Sequence, residues 1–440
     1  MKPRPDPAAG HAGAALAGLF GLLLGVALLK LGNPVILDPL IETPGNLAEW
    51  RAFAWPVRFG HLGLALVLVA AVPLLRWPAG VPRWWPGALA FWLGWQVLAA
   101  LATGWPMATR LVLPHFLACG VCFAVGLAAL ARVPETRVFF LCLAAALAGV
   151  IALGFEQHFG GLAATRRMMI EQSGGQLPPE MLARLERGRI FSTLVYPNAL
   201  AGALLLLLPV ALVTAWRMLE SRGPRLAGAA AGTLGLAGLA CLVWSGSKAG
   251  WLLALGLGAL AGWRVPVARR WRVAALVVAL VAGLAFFVVR YRERLADPTS
   301  VVARLEYWRA AARAAAARPL FGLGPGGFKD FFARTKPAEA EMARLAHNDF
   351  LQQASDSGLP GALAYAVFVA GGLAWLARRA WRDGDLRQRA VWLGLLGWFA
   401  QGLVEFGLYL PATAWTAFAL FGWLAGTAAA GGERKSWAAK

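Results

Sequence analysis

The chain has 440 residues, of which 59% are hydrophobic and only 15% charged, with 21 tryptophans. That balance excludes an ordinary soluble domain and predicts an all-α polytopic membrane protein, because in lipid the backbone must satisfy its own hydrogen bonds. A formal charge of +20, from 42 Lys and Arg against 22 Asp and Glu, would raise nucleic acid as a partner of a soluble protein; here the arginines gather between apolar runs, as at an anionic leaflet, and no nucleic acid partner is expected.

A spanning helix needs about 20 mainly apolar residues. In chain order, such runs predict about twelve transmembrane helices, at 13–32, 59–75, 86–104, 112–131, 138–156, 198–216, 226–244, 248–263, 273–290, 358–377, 390–409 and 411–429. An even number puts both termini on one side. With the N-terminus inside, the inner gaps hold Arg76 and Arg83, then Arg132 and Arg137, then Arg217, Arg222 and Arg225, then Arg264, Arg269, Arg270 and Arg272, then Arg378, Arg379, Arg382, Arg387 and Arg389. The positive-inside rule therefore assigns both termini to the cytoplasm. The opening "MKPRPDPAAGHAGAALAG" leads into a run long enough to span, so the first helix is read as retained and not as a cleaved signal. Cys119 and Cys122 have the spacing of a metal or redox pair, but no second Cys/His cluster accompanies them. With Cys142 and Cys241 they are expected to be buried bystanders, and neither a metal nor a cofactor is expected.

The resulting organisation is helices 1–5 within 1–156, an outer segment at 157–197, helices 6–9 within 198–290, a large outer loop at 291–357, and helices 10–12 with a cytoplasmic tail at 358–440; the resemblance described below implies that the outer side is the periplasm. Both outer segments exceed the usual connector of about 4–6 residues. Each holds an amphipathic helical pattern, "PPEMLARLERGRIF" in the first and "VVARLEYWRAAARAAAARP" in the second, suited to lying on the membrane or capping a cavity.

Arginines in these outer segments do not follow the topological rule. Arg166, Arg167, Arg184, Arg187 and Arg189 crowd the first; Arg304, Arg309, Arg313 and Arg318 lie in the second. A guanidinium fork suits a lipid-linked phosphate, and pairing with nearby acids or headgroups is the alternative. In "GRIFSTLVYPNALAG", Arg189 precedes Pro197 and Asn198, where a helix begins, which puts the arginine at the outer rim of the bilayer. Arg304 and Trp308 share a helix face at i and i+4. After Pro319, Gly322, Gly324, Gly326 and Gly327 form a turn; without a GK[ST] sequence it is read as setting the angle between two surface helices and not as a nucleotide loop.

The stretch "LAHNDFLQQASDSGLPG", residues 345–361, gathers polar residues ahead of an apolar run. His11 lies in the tail and His61, His115 and His158 lie in or beside apolar runs without polar company; only His347 has a polar retinue. Histidine titrates near neutral pH and can take a proton from a hydroxyl or present charge to phosphate. A solvated helix start capped by Asn348 explains Asn348 and Asp349 but not the histidine. Lys248, in "WSGSKAGW", and Glu405, in "QGLVEFGLYLP", are ionisable groups at the outer ends of spans; either is an anchor or a cavity group, and Glu405 is placed to orient an arginine.

Taken together, "RIFSTLVYPNALAG", "WSGSKAGW", "RLEYW…PLFGLGPGGF" and "AHNDFLQQASDSGLPG" resemble, in order and spacing, the O-antigen ligase family, which includes O-antigen polymerases and protein O-oligosaccharyltransferases. The late "LVEFGLYLPATA" is similar to the family's "LVD…PANA", and the resemblance covers about residues 187–423. It implies a GT-C-like glycosyltransferase of the bacterial inner membrane that moves a glycan from undecaprenyl diphosphate to a lipid A-core hydroxyl in the periplasm without a metal. It further implies Arg189 and Arg304 as the diphosphate clamp and His347 as the group that assists the hydroxyl or the leaving group. Arg187, Asn198, Lys248, Trp308, Arg309, Asn348 and Glu405 are the expected substrate-binding surroundings. Two departures stand out: Ser247-Lys248 where the family has Ser-Arg, which removes a fork, and Glu405 where relatives have aspartate. A transporter of an anion or lipid-linked precursor is the competing class, although such proteins place polar groups near the midplane, often in repeated halves.

Overall fold

The computed structural model describes residues 7–438 except 105–106, 165–166, 168–169, 171–187, 264–266, 297–298 and 339; at 7–9, 290–301, 383 and 430–438 it describes the backbone alone. The described residues are helical with no strands, in the order α1 (Pro7–Lys30), α2 (Val57–Ala71), α3 (Trp84–Ala102), α4 (Thr109–Ala128), α5 (Arg137–Glu156), α6 (Pro197–Leu219), α7 (Pro224–Ser245) and α8 (Lys248–Gly262). There follow α9 (Arg269–Ala296), α10 (Thr299–Ala317), α11 (Phe328–Thr335), α12 (Asp349–Ala366), α13 (Leu386–Gln401) and α14 (Pro411–Ala438). Among the described residues nine helices are long and apolar enough to cross a membrane, which makes the chain an all-α, multi-pass membrane protein. The other three runs of the expected twelve fall on α8 and α13, which are shorter, and on α14, which is less apolar.

Small residues bring helices into backbone contact. A Cβ on Gly126 of α4 would lie 2.2 Å from the Ala419 carbonyl of α14, and one on Gly422 would lie 2.1 Å from the Phe123 carbonyl. This crossing exists only because both positions are glycine. Around it Trp85, Trp92 and Trp415 are fully buried, and each indole N–H is used: Trp85 donates to the Phe368 carbonyl (2.7 Å), Trp92 to Gln353 Oε1 (2.8 Å) and Trp415 to His115 Nδ1 (3.1 Å). His115 also contacts the Leu408 carbonyl through Nε2 at 2.7 Å. His115 thus has the polar company its local sequence lacks, supplied by partners about 300 residues away in the chain. Cys119 and Cys122 are buried thiols in α4.

Two boundaries differ from the hydropathy reading, for one reason. Helix α12 begins at Asp349, not at 358, and the polar residues from Asp349 to Ser357 are its buried first turns. The chain bends there at Gly358, whose φ of +70° suits glycine. At the other boundary, α13 ends at Gln401 and residues 402–410 form a break, where 390–409 reads as one apolar run. In both places buried polar groups bond to distant partners, as where the Leu408 N–H donates to Asp349 Oδ2 at 3.1 Å and the Asp349 N–H to the Gly402 carbonyl at 2.7 Å, which a window of hydropathy cannot register.

Helix α10 ends before Pro319, as its pattern predicts. It packs on α12 and α11, and Tyr307, Ala310, Ala311, Phe328, Phe332, Ala343 and Ala346 make a small second core apart from the main bundle. Trp308 and Leu351 pack against it. The segment containing "PPEMLARLERGRIF" lies outside the described residues up to residue 187.

Candidate functional site

Five pieces of chain meet at one end of the bundle: the strap 188–196, the start of α6, the first half of α10, the start of α12 and the break 402–410. Pro197 opens α6 at a position where its missing N–H costs nothing, so Asn198 stands in the first turn. The strap is held in an unusual shape, with Ser192 and Val195 at φ of +54° and +62°. Gln157 accepts from the backbone N–H groups of Phe191 (3.0 Å) and Ser192 (2.7 Å), and Ser192 Oγ donates to the Val150 carbonyl (2.7 Å). Such left-handed non-glycine residues cost about 1–3 kcal/mol each and persist only where surroundings hold them.

Glu405 is the node of the site. It lies in the break, 7% exposed. Its Oε1 accepts from Asn198 Nδ2 at 2.6 Å and forms a close ion pair with Arg304 Nη2; its Oε2 faces His347 Nδ1 at 3.3 Å. Asn198 Oδ1 in turn accepts from Arg189 Nη2 at 2.8 Å, and Arg189 Nε donates to the Ser245 carbonyl at 2.7 Å. Arg189, Arg304 and His347, far apart in sequence, therefore converge on one carboxylate and its amide neighbour. Burial alone would push the Glu405 carboxyl up, but the hydrogen bond and charge of His347, followed by Arg304, outweigh it and hold the group below its ordinary 4.5.

His347 is strained, with φ of +51°. Its neighbours fix it there. The Ala346 N–H donates to Gln352 Oε1 at 2.6 Å, Trp308 Nε1 donates to the His347 carbonyl at 3.4 Å, and Asn348 caps α12 by accepting from Phe350 and Leu351, both at 3.0 Å. Asn348 Nδ2 also donates to the Leu403 carbonyl at 2.7 Å, tying the helix start to the break. The imidazole stands between Phe406, edge to face at 4.7 Å, and Tyr307, stacked at 5.7 Å. With Nδ1 turned to Glu405, Nε2 has no hydrogen-bond partner among the described residues.

Behind the carboxylate a cavity of about 10 Å³, lined by Asn198, Gly202, Trp398, Gln401, Glu405 and Thr413, has room for about one water. The side chains of Arg304 and His347 are 26% and 28% exposed, so the cluster is open to the surface there.

The remaining expected residues divide. Trp308 lies on the face of α10 that carries Arg304 and touches His347, whereas Arg309 is exposed and outside the cluster. Lys248 is the first residue of α8, behind the Ser247 cap, half-buried. Arg187 lies outside the described residues. Sequence reasoning missed Gln352, Asp356 and Tyr409, buried polar residues that support the site. The four-residue spacing of Gln352 and Asp356, which puts both on one helix face, was the available signal.

Fold and site together define a multi-pass membrane protein with an arginine-flanked Glu–His pair at one end of its helical bundle. Residues 233–366 match the family model described as O-antigen ligase, so this part of the chain is similar to that family, and the match supports an enzyme of that general type. The match contains Lys248, Arg304, Trp308, Arg309, His347 and Asn348; Arg187, Arg189, Asn198 and Glu405 lie outside it. No curated protein matches the chain.

Proposed function

We propose that the protein is an O-antigen ligase of the bacterial inner membrane, transferring a glycan from undecaprenyl diphosphate to a sugar hydroxyl of lipid A-core at a periplasmic site. The observation that carries this reading is the convergence of Arg304, Arg189 through Asn198, and His347 on Glu405, beside the family match. Arg304 and Arg189 hold the diphosphate of the donor. His347 Nε2 takes the proton of the acceptor hydroxyl as its oxygen bonds to the anomeric carbon. The bond from that carbon to the phosphate oxygen breaks, and the electron pair leaves with undecaprenyl diphosphate, whose growing negative charge the guanidinium groups stabilise.

Glu405 has two roles in this scheme. Its carboxylate takes the Nδ1 proton of His347 in a hydrogen bond, leaving Nε2 as the base, and stabilises the imidazolium that forms. In the absence of donor it also occupies the anion position beside Arg304. Fixed guanidinium groups supply the charge neutralisation, so the transfer is metal-independent. The two long outer segments and the cluster they build form the periplasmic working face, with the arginine-rich gaps and both termini on the cytoplasmic side. Arg187, Lys248, Trp308, Arg309 and Asn348 complete the donor and acceptor surroundings.

The test is the lipopolysaccharide profile of a ligase-deficient bacterium with a matched donor glycan. Restoration of long-chain lipopolysaccharide by the wild type and not by His347→Ala supports the reading. Glycan remaining on the lipid carrier with both forms refutes ligation to that acceptor, and polymerisation or protein glycosylation becomes the reading to test.

A further inference from the structure

Asp356 is fully buried in α12, two turns beyond the site, and every polar contact it makes is with a donor. Gly326 N–H donates to Oδ2 at 2.8 Å, and so does Tyr409 O–H at 3.0 Å; Gln352 Nε2 lies 3.0 Å from both oxygens and Ser355 Oγ lies 3.3 Å from Oδ1. No lysine or arginine pairs with it among the described residues. A carboxylate buried in a bundle without a countercharge is costly, yet the Gly326 N–H, the Gln352 amide and the Tyr409 hydroxyl all call for an acceptor at this position.

The three principal donors belong to three different segments, and each segment carries a site residue. Gly326 is in the glycine turn that follows α10, the helix of Arg304. Gln352 uses its other end, Oε1, to hold the N–H of Ala346, next to the strained His347. Tyr409 closes the break that contains Glu405, four residues away, and its hydroxyl also accepts from Gln353 Nε2 at 3.1 Å. Gln353 Oε1 in turn accepts from Trp92 and Gln96, both at 2.8 Å, anchoring the network to α3.

We propose that Asp356 is a positioning residue for the His347–Glu405 pair, acting through Gln352 on the backbone beside His347 and through Tyr409 on the break that holds Glu405. The proposal rests on the functional reading above for its catalytic consequence, but its geometric content is separate. The Asp356 carboxylate fixes the relative register of three segments that no continuous helix joins. Asn at this position turns an NH₂ group towards donors. Tyr409→Phe removes one hydroxyl and leaves the aromatic packing, so it serves as the milder perturbation.

The experiment follows carbethoxylation of individual histidines by diethyl pyrocarbonate in the purified full chain, read peptide by peptide by mass spectrometry. His115, buried in α4, reports on the integrity of the bundle. The expected result is that Tyr409→Phe and Asp356→Asn each raise the modification rate of His347 by about three- to tenfold, as for loss of one net hydrogen bond, with His115 unchanged. An unchanged His347 rate in both variants overturns the proposal. A parallel rise at His347 and His115 also overturns it, because it assigns the network to general stability. Transfer rates form the second arm: Tyr409→Phe lowers kcat and leaves KM for the lipid-linked donor unchanged, whereas a raised KM with kcat unchanged contradicts action on the His347–Glu405 pair. If His347→Ala transfers normally, the ligase mechanism fails, while the labelling arm still decides the positioning.

Discussion

Replacing Glu405 with Gln keeps the shape of the side chain and removes its charge. The carboxylate now accepts from Asn198 and Arg304 through one oxygen and faces His347 with the other. In the variant the amide oxygen still accepts from one side, but the NH₂ group meets either the Asn198 and Arg304 donors or an imidazole that must move its proton to Nε2 to accept from it. Loss of a hydrogen bond to a charged group costs about 1.5–3 kcal/mol, and the lower end applies because Arg304 is a quarter exposed and its charge is screened. Stability should therefore fall by about 1–2 kcal/mol, a tolerable change for a chain of this size. Catalysis should suffer more. Without the carboxylate, the imidazole loses its preferred tautomer and the partner for its positive charge, and general-base assistance is worth about 10²–10⁴ in rate. The assay is transfer of a lipid-linked glycan to lipid A-core by purified protein under single-turnover conditions. A decrease of at least about 100-fold is expected for Glu405→Gln, with a smaller decrease for Glu405→Asp, since the carboxylate is retained at shorter reach. A Glu405→Gln rate within about threefold of wild type would refute the role assigned to the pair.

The same carboxyl group gives a pH dependence of stability. Its value in the folded chain is below the ordinary 4.5, so its contribution is complete above that value and is lost as pH falls through the lowered one. Thermal unfolding in detergent should separate wild type from Glu405→Gln near neutral pH and bring the two closer as pH falls through the lowered value; a constant separation contradicts the ion pair's strength. Arg304→Lys keeps a positive charge but not the fork, and is expected to lose about tenfold or more in transfer while retaining membrane abundance; full activity with lysine would show that a point charge suffices. Treatment with a divalent-ion chelator is expected to leave transfer unchanged, and loss of activity restored by a specific metal would overturn the arginine-based scheme.

Much of the fold is legible in the sequence because apolar length is a direct requirement of the bilayer: each expected run overlaps a helix, although the run at 390–409 continues past the end of α13. The glycine turn after Pro319 and the cap at Asn348 are also readable, since each follows from local stereochemistry. The site itself is only half legible. Arg189, Arg304 and His347 stand out by being polar in the wrong place, but their convergence depends on Glu405, which reads locally as the end of an apolar run. Its partners lie 207, 101 and 58 positions away. Asp356 and Tyr409 are harder still. A buried acid with only uncharged donors has no local signature beyond its spacing from Gln352, and Tyr409 looks like any interfacial aromatic until its hydroxyl is seen to donate to Asp356.

The central claim is that the cluster around Glu405 binds a lipid diphosphate and releases it as the glycan moves. The most direct measurement reconstitutes the purified protein in liposomes with undecaprenyl-diphosphate-linked glycan and lipid A-core, and quantifies both products by mass spectrometry. The account predicts one undecaprenyl diphosphate released for each glycan joined to lipid A-core, and neither product from Arg304→Ala or His347→Ala. Undiminished transfer by Arg304→Ala, or carriage of the intact donor across the bilayer without cleavage, would contradict it.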